Sequence, residues 1–309
     1  MILVVGGTGF VGAVVVRELV RRGEKVAVLT RAASRQTDRF PGLGVEYREG
    51  DVRRPETLAT AMAGIDAVIG SQTFPNLPVE NPANGHTWEE IDARGTENLV
   101  AAAKQAGVTR YVYISGAGAA PDAPQHWFRS KWRAEEAVRN SGLAYTVLRP
   151  SWVYGPEDKA LNRFMSMSRF LPFVPLIGNP SKQRLQPVFV EDVAKAAAES
   201  FTNPAAENET FEIGGPEALT MREIVRTALA VSGRRRLVLA APKSVVKTFA
   251  SVLKRVPGRP FTPDAVEFVT MDALGDPTRL ESALGLRVTP LREGLATYMA
   301  RRKKIEDRR

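Results

Sequence analysis

The sequence predicts an α/β protein: a doubly wound parallel sheet followed by a smaller, mostly helical C-terminal region. Three observations carry this. The chain opens on a short apolar run, Ile2-Leu3-Val4-Val5, which turns through Gly6, Gly9 and Gly12 into an apolar helical pattern at Phe10, Val11, Val14 and Val15. Strands then alternate with helices as far as Arg149-Pro150, the rhythm of parallel strands joined by crossover helices. Beyond that point Pro156, Pro172, Pro175, Pro180 and Pro187 cut the chain into shorter pieces.

Each element has a local reason. Residues 2–5 read as a strand buried on both faces. The glycines behind it let backbone amides approach a pyrophosphate, and the N-terminus of the next helix adds partial positive charge. Such glycines also make tight turns with no ligand. Their place after a strand and before a helix is what favours a phosphate cradle. The first helix runs to about Arg22 and stops at Gly23, a residue suited to the helix end. Residues 25–30, 45–48, 65–70, 110–114 and 144–148 read as the second to sixth strands. Helical patterns occupy 55–63, 87–106 and 125–141, and Pro55 suits a first helical turn. A polar loop over 71–85 is of a length that is often functional. The right-handed crossover rule puts a nucleotide crevice at the carboxyl ends of strands one and four. In the second half, 187–190 and 211–213 are expected to return to the sheet. Residues 190–201 and 220–232 read as helical, and the chain beyond 242 as basic amphipathic helices between loops.

With 309 residues there is material for one large α/β domain and a smaller region folded onto it. The chain has no cysteine, which excludes disulfides and thiol chemistry. Its two histidines, His86 and His126, are isolated, so no metal site is expected. No stretch reaches the roughly 18 uncharged apolar residues of a membrane span. The chain enters its first strand at once, so no secretory leader is expected. These features point to the cytoplasm, or to a peripheral position on the cytoplasmic face of a membrane. The net charge of +9 is concentrated in part at the tail, Arg301, Arg302, Lys303, Lys304, Arg308 and Arg309. No helix-turn-helix, zinc-finger or RNA-binding signature accompanies it, so no nucleic-acid partner is expected.

The motifs together resemble the short-chain dehydrogenase/reductase superfamily, in its extended and atypical members. The resemblance rests on the Gly6, Gly9 and Gly12 spacing and on Asp51-Val52. It also rests on Gly95-Thr96-Glu97-Asn98-Leu99, Lys131, Arg149-Pro150-Ser151 with Tyr154-Gly155-Pro156, and Val188-Phe189-Val190-Glu191-Asp192-Val193. The C-terminal third resembles more loosely the atypical branch similar to a respiratory complex I accessory subunit, often called NDUFA9-like. The resemblance implies a dinucleotide-binding Rossmann core over residues 1–150. It also implies a substrate or partner region over 151–309, part of which returns to the sheet. It puts Gly6, Thr8, Gly9, Phe10, Val11 and Gly12 against the cofactor phosphates, Asp51 and Val52 beside adenine, and Ser115 and Lys131 on the nicotinamide side. Lys131 would bond the ribose hydroxyls and belong to the catalytic group.

The chain departs from the catalytic pattern. Active members carry a tyrosine one helical turn before the lysine, which exchanges a proton with the substrate oxygen while hydride moves to or from the cofactor. Here that residue is Trp127, whose indole donates but does not titrate usefully. The usual partner hydroxyl, two positions beyond Ser115, is replaced by Ala117. Ser115 has a plainer role open to it, bonding local backbone groups. Asp51 could equally cap amides in its own turn. Tyr154 offers another phenol, although its signature is usually structural. Trp88, Trp132 and Trp152 read as packing residues.

Cofactor choice is read at the end of strand two. NAD-selective sites place a carboxylate there for the ribose 2′-hydroxyl. This chain has Thr30-Arg31 with Arg35 close behind, and guanidinium groups suit a 2′-phosphate. NADP(H) is therefore expected in preference to NAD(H), with Arg31 the larger contributor and a solvated loop the plain alternative. Three functions follow. One is an NADP(H)-linked oxidoreductase, acting on a small-molecule substrate with weak or no ordinary carbonyl reductase activity. Another is a non-catalytic cofactor-bound accessory subunit or assembly factor of a membrane complex. The third is a nucleotide-sugar epimerase or dehydratase. The basic C-terminal region leaves two readings open. The 301–309 tail and a helix over 243–256, whose apolar residues share one face, either meet a protein partner or an anionic membrane surface, or are a solvated helix end and a core-facing helix whose lysines meet water.

Overall fold

The computed structural model describes residues 1–32, 39–244, 246 and 262–306, with side chains as far as Met299. Arg35, most of the 243–256 segment and the side chains of the 301–309 tail therefore lie outside the described residues.

Thirteen described strands appear in chain order. The first six are β1 (Ile2–Val5), β2 (Val26–Thr30), β3 (Glu46–Glu49), β4 (Ala67–Gly70), β5 (Arg110–Ile114) and β6 (Ala144–Pro150). They are followed by β7 (Val153–Tyr154), β8 (Phe173–Ile177), β9 (Arg184–Leu185) and β10 (Val188–Phe189). The last three are β11 (Glu209–Ile213), β12 (Leu219–Thr220) and β13 (Leu237–Ala241). Seven of them form the central sheet, in the order β11-β6-β5-β4-β1-β2-β3, every pairing parallel. The order reverses between β4 and β1, so the crevice opens where the crossover rule places it.

Helices cover both faces. The period-2 alternation within single strands separates the two cores. Ile2, Val4, Val26, Val28 and Ile69 face one side, packed with α1 (Phe10–Arg21) and with the later helix α6 (Val190–Thr202). Leu3, Val5, Ala27, Leu29 and Val68 face the other, with α2 (Leu58–Ala61), α3 (Arg94–Gln105) and α4 (His126–Arg139). The long helix read over 87–106 begins with a π-helical turn, Glu89–Ala93, before α3 takes over. Arg149 at the end of β6 donates to the buried Glu135 carboxylate on α4 at 2.9 and 2.6 Å, tying sheet to helix.

The second half supplies α5 (Ala160–Phe170), α6 (Val190–Thr202), α7 (Met221–Val231), α8 (Pro263–Thr270), α9 (Thr278–Leu284) and α10 (Leu291–Glu306). A third core, around Leu161, Val174, Leu176, Ile224, Val225, Leu229 and Leu295, belongs to it. The expected return of 211–213 is found as β11 beside β6. The expected return of 187–190 is not: β10 pairs with β7 instead. The reason is that β11 already occupies the edge next to β6, leaving Val188 and Phe189 to the smaller region. Two pairs there, β8 with β13 and β9 with β12, were not foreseen, because prolines interrupt the pattern at 172, 175 and 180.

Helices α1 and α6 are joined by Arg22, which bonds Glu18 at 2.8 Å and Glu199 at 2.9 Å. Hydrogen bonds from Arg21, opposed by partial burial and aided by Arg22, hold the Glu18 carboxyl down at about 2. A carboxyl depressed by folding contributes stability above its ordinary 4.5 and loses it as pH falls toward the folded value. Glu18→Gln should therefore lower the thermal midpoint at neutral pH, and the gap from the parent should close progressively below about pH 4.5. A gap independent of pH in paired melting curves would show that Glu18 acts only by packing.

Candidate dinucleotide-binding site

The turn after β1 is shaped by contacts that leave no room for side chains. Gly6 has φ +76°, and a Cβ there would lie 2.5 Å from the Ser71 carbonyl oxygen. A Cβ on Gly12 would stand 2.3 Å from the Gly6 oxygen. Gly9 is the N-cap of α1 and brings no side chain to it. A Cβ at Gly9 would meet only the Gly6 oxygen, at 3.1 Å, so this glycine faces outward. The first bond into the helix is Ala13 N–H to Gly9 O, so the amides of Phe10, Val11 and Gly12 come before any helical acceptor. An uncapped helix N-terminus behind an open glycine fits a pyrophosphate. Thr8 and Val11 are half-buried at this turn. The Phe10 ring instead reaches toward Gly155, where a Cβ would lie 3.2 Å from it.

Next along the crevice come the residues expected near adenine and its ribose. Arg31 is exposed at the end of β2. Asp51 turns back on its own loop, accepting the Arg53 amide and Nε at 3.0 Å and its terminal nitrogen at 2.5 Å. Burial raises the Asp51 carboxyl, but the Arg53 bonds and the nearby charge of Arg31 leave it below the usual range. Asp51 thus takes the turn-capping arrangement, and Val52, which follows it, is buried in the core. The family segment after it has a structural reason here. A Cβ on Gly95 would lie 2.8 Å from the Val52 side chain, Asn98 donates to Val52 O at 2.8 Å, and Thr96 accepts from buried Gln72 at 2.8 Å.

At the end expected to take nicotinamide, Lys131 is committed to a partner. Its ammonium donates to Asp92 Oδ1 at 2.6 Å and lies 5.7 and 5.5 Å from the ring centroids of Trp88 and Tyr113. Asp92 sits in the π-helical turn and is fully buried. Burial raises its carboxyl, with Lys131 opposing. Its second oxygen has no hydrogen-bond partner among the described residues. Ser115 donates to Glu135 at 2.5 Å rather than to backbone or into the crevice. Trp127 is 4 % exposed and packs edge-on to Phe268 of α8, centroids 5.5 Å apart. Phe268 also stacks on Trp88 at 5.8 Å, and Phe74 closes on Trp88 at 5.2 Å. Tyr154 is fully buried, its phenol pushed up by that burial, so it lies in the core rather than in the crevice. Trp132 is flanked by Arg139 and Arg149, 4.7 and 5.6 Å from its ring.

Sequence reasoning missed Asp92, Glu135 and Phe268. A carboxylate between Ile91 and Ala93 in an apolar helical stretch was the available signal for Asp92. Glu135 and Arg139 are at ion-pair spacing on one helix. Nothing in the sequence pointed to Phe268. Among the described residues no cluster of three metal-binding side chains occurs, and no helix is long and apolar enough to cross a membrane.

Fold and turn together define a dinucleotide-binding Rossmann protein. A family model described as NAD(P)H-binding matches residues 6–204, and the chain belongs to that family. It is 31 % identical over 234 residues to an NAD(P)H azoreductase of Xenophilus azovorans, covering 76 % of this chain and 74 % of that protein. It is 30 % identical over 227 residues to the mitochondrial NADH dehydrogenase [ubiquinone] 1 alpha subcomplex subunit 9 of Arabidopsis thaliana, covering 72 % of this chain and 55 % of that subunit. The fold also matches a Citrobacter triphenylmethane reductase solved with NADP(H), at TM-score 0.73 and 22 % identity over 96 % of this chain and 99 % of that one.

The Asp92–Lys131 pair is testable by a double-mutant cycle with Asp92→Asn and Lys131→Met. Direct contact at this burial should give a coupling of about 0.5–3 kcal/mol in denaturant unfolding. Additive effects would show the two side chains acting independently.

Proposed function

We propose that this protein holds NADP(H) in preference to NAD(H), and that it transfers hydride slowly, to or from a small-molecule acceptor. The observation that carries the reading is the conjunction of an uncapped glycine turn with Trp127 at the acid–base position. The amides of residues 10–12 would hold the pyrophosphate, and Arg31 the 2′-phosphate. Bound nicotinamide would supply the hydride chemistry. The chain's own part is to orient the cofactor and provide a proton, and there it is poorly equipped. Indole cannot exchange one, Ser115 is bonded to Glu135, and the Lys131 ammonium is taken by Asp92. Residues 1–150 serve as the cofactor core in this reading, and 151–309 face the substrate or partner.

A second reading is favoured by the same corner. Phe268 packs against both Trp88 and Trp127, filling the corner beside Lys131, and the Arabidopsis relative is named as a subunit of a larger complex. On this reading the dinucleotide stabilises the fold, and the basic C-terminal region docks on a partner or an anionic membrane.

Two measurements test the first reading. Calorimetric titration should give tighter binding of NADPH than NADH, with Arg31→Ala weakening NADPH by about tenfold and leaving NADH unchanged. Equal affinities in the parent protein would remove the basis for the preference. Turnover of NADPH with ketones, aldehydes or quinones should be slow, and Trp127→Tyr should raise it, since a positioned general acid contributes ~10²–10⁴-fold. Wild-type turnover at ordinary dehydrogenase rates would overturn the reading. Nucleotide that co-purifies, yet is not consumed with any acceptor, would select the accessory role.

A further inference from the structure

We propose that the outward face of the β8–β13 pair, with Phe170 beside it, docks on an anionic phospholipid membrane. This narrows the docking reading above and moves it to a different element, keeping only Lys243 from the 243–256 segment and nothing from the 301–309 tail.

The first observation is an exposed apolar sheet face that no described element covers. Register pairs Leu237 with Phe173, Val238 with Val174, and Leu239 with Pro175. Val174 and Val238 turn inward to the C-terminal core. Leu237 and Leu239 point the other way and are 68 % and 49 % exposed. Their partners Phe173 and Pro175 are only half-buried. Phe170, which ends α5 just before β8, is 85 % exposed. A strand apolar on both faces belongs between two layers, and among the described residues only the inner layer is present. Large apolar side chains gathered in this way mark an interaction surface.

The second observation is charge. Residues 159–190, which carry α5, β8 and β9, contain five basic side chains and no acidic one. Residues 224–244, which carry most of α7 and all of β13, again contain five basic and no acidic. Both segments occur in a chain with 34 acidic residues. Arg235 and Arg236 are exposed immediately before Leu237. Among the described residues, acidic groups that approach these cations are Glu267, paired with Lys243 at 2.9 Å, Asp272, which accepts the Arg184 amide at 2.8 Å, and Glu223 at the start of α7, which is near Arg184 and Arg226.

The third observation is a cavity of about 740 Å³ at the far end of the pair, lined among others by Lys182, Arg222, Lys243 and Asp272. The Arg222 guanidinium is braced by Ser181 Oγ at 2.9 Å and Val238 O at 3.1 Å. Fixed and partly compensated cations next to an apolar face suit lipid phosphates above and acyl chains below. A second copy of this basic surface would repel the first, whereas an anionic leaflet attracts it, at a gain of about fivefold in affinity for each basic residue near the surface.

The test is sedimentation of the full chain with vesicles of phosphatidylcholine alone, or mixed with phosphatidylglycerol, at low and moderate salt. Binding should require phosphatidylglycerol and weaken with salt. The exposed triple variant Phe170→Ser, Leu237→Ser, Leu239→Ser should lose at least about tenfold in affinity. Arg235→Glu should lose about fivefold or more. NADPH titration and the thermal midpoint, unchanged in both variants, establish that they are folded and keep this test separate from the cofactor reading. Triple-variant binding equal to the parent overturns the proposal, as does loss of binding on removal of 301–309 alone. A parent that forms dimers, ignores vesicles and becomes monomeric in the triple variant overturns it in favour of self-association.

Discussion

Everything in the crevice depends on how closely the turn after β1 approaches the end of β4. The Gly6 position sits against the Ser71 backbone, and Gly12 sits against Gly6. Ser71 answers by bonding the Val5 carbonyl through both its amide, at 3.0 Å, and its hydroxyl, at 2.8 Å. This contact sets the angle at which α1 leaves the sheet and so aims its free amides. A side chain at either glycine would push α1 off β4, and the same movement would disturb the core that α1 shares with α6.

The opposite end of the crevice obeys a different logic. Charged groups there are neutralised in pairs, Lys131 with Asp92 and Arg149 with Glu135. Breaking a buried pair by removing one partner leaves a charge uncompensated, which is costly. Aromatic rings fill the space around these pairs, and Phe268 joins the C-terminal region to the sheet's helical face. This corner is a packed, charge-balanced joint between the C-terminal region and the helices on the sheet.

Much of the sheet was legible because strands buried on both faces are short apolar runs, and Gly23 and Pro55 punctuate the helices between them. The glycine turn was legible because its spacing has a steric cause. What escaped depends on tertiary contact. The partner of Lys131 lies 39 residues away on another helix, and no local pattern links them. Asp51 looked suited to a ligand and is held by Arg53, two residues on, a choice that the sequence left open. The β8–β13 pair was hidden because Pro175 sits inside β8, and a proline is tolerated there only where no ladder bond is demanded of its nitrogen. Residues 187–190 were placed in the wrong sheet because a two-residue strand carries no signal of which edge it will find free.

The seventh strand of the sheet has a consequence for how the protein is made. β11 pairs along β6 over five residues, and Thr146 in β6 donates to Ala206, just ahead of β11. A chain emerging from the ribosome exposes β6 as a raw edge until residue 213 has followed it. During that interval the central sheet presents unpaired amides and carbonyls at this edge, a template for pairing with a neighbouring chain. The nascent protein is therefore most vulnerable to aggregation after its cofactor crevice has been synthesised and before its sheet is closed. Cuts between the two halves would make that passing state permanent.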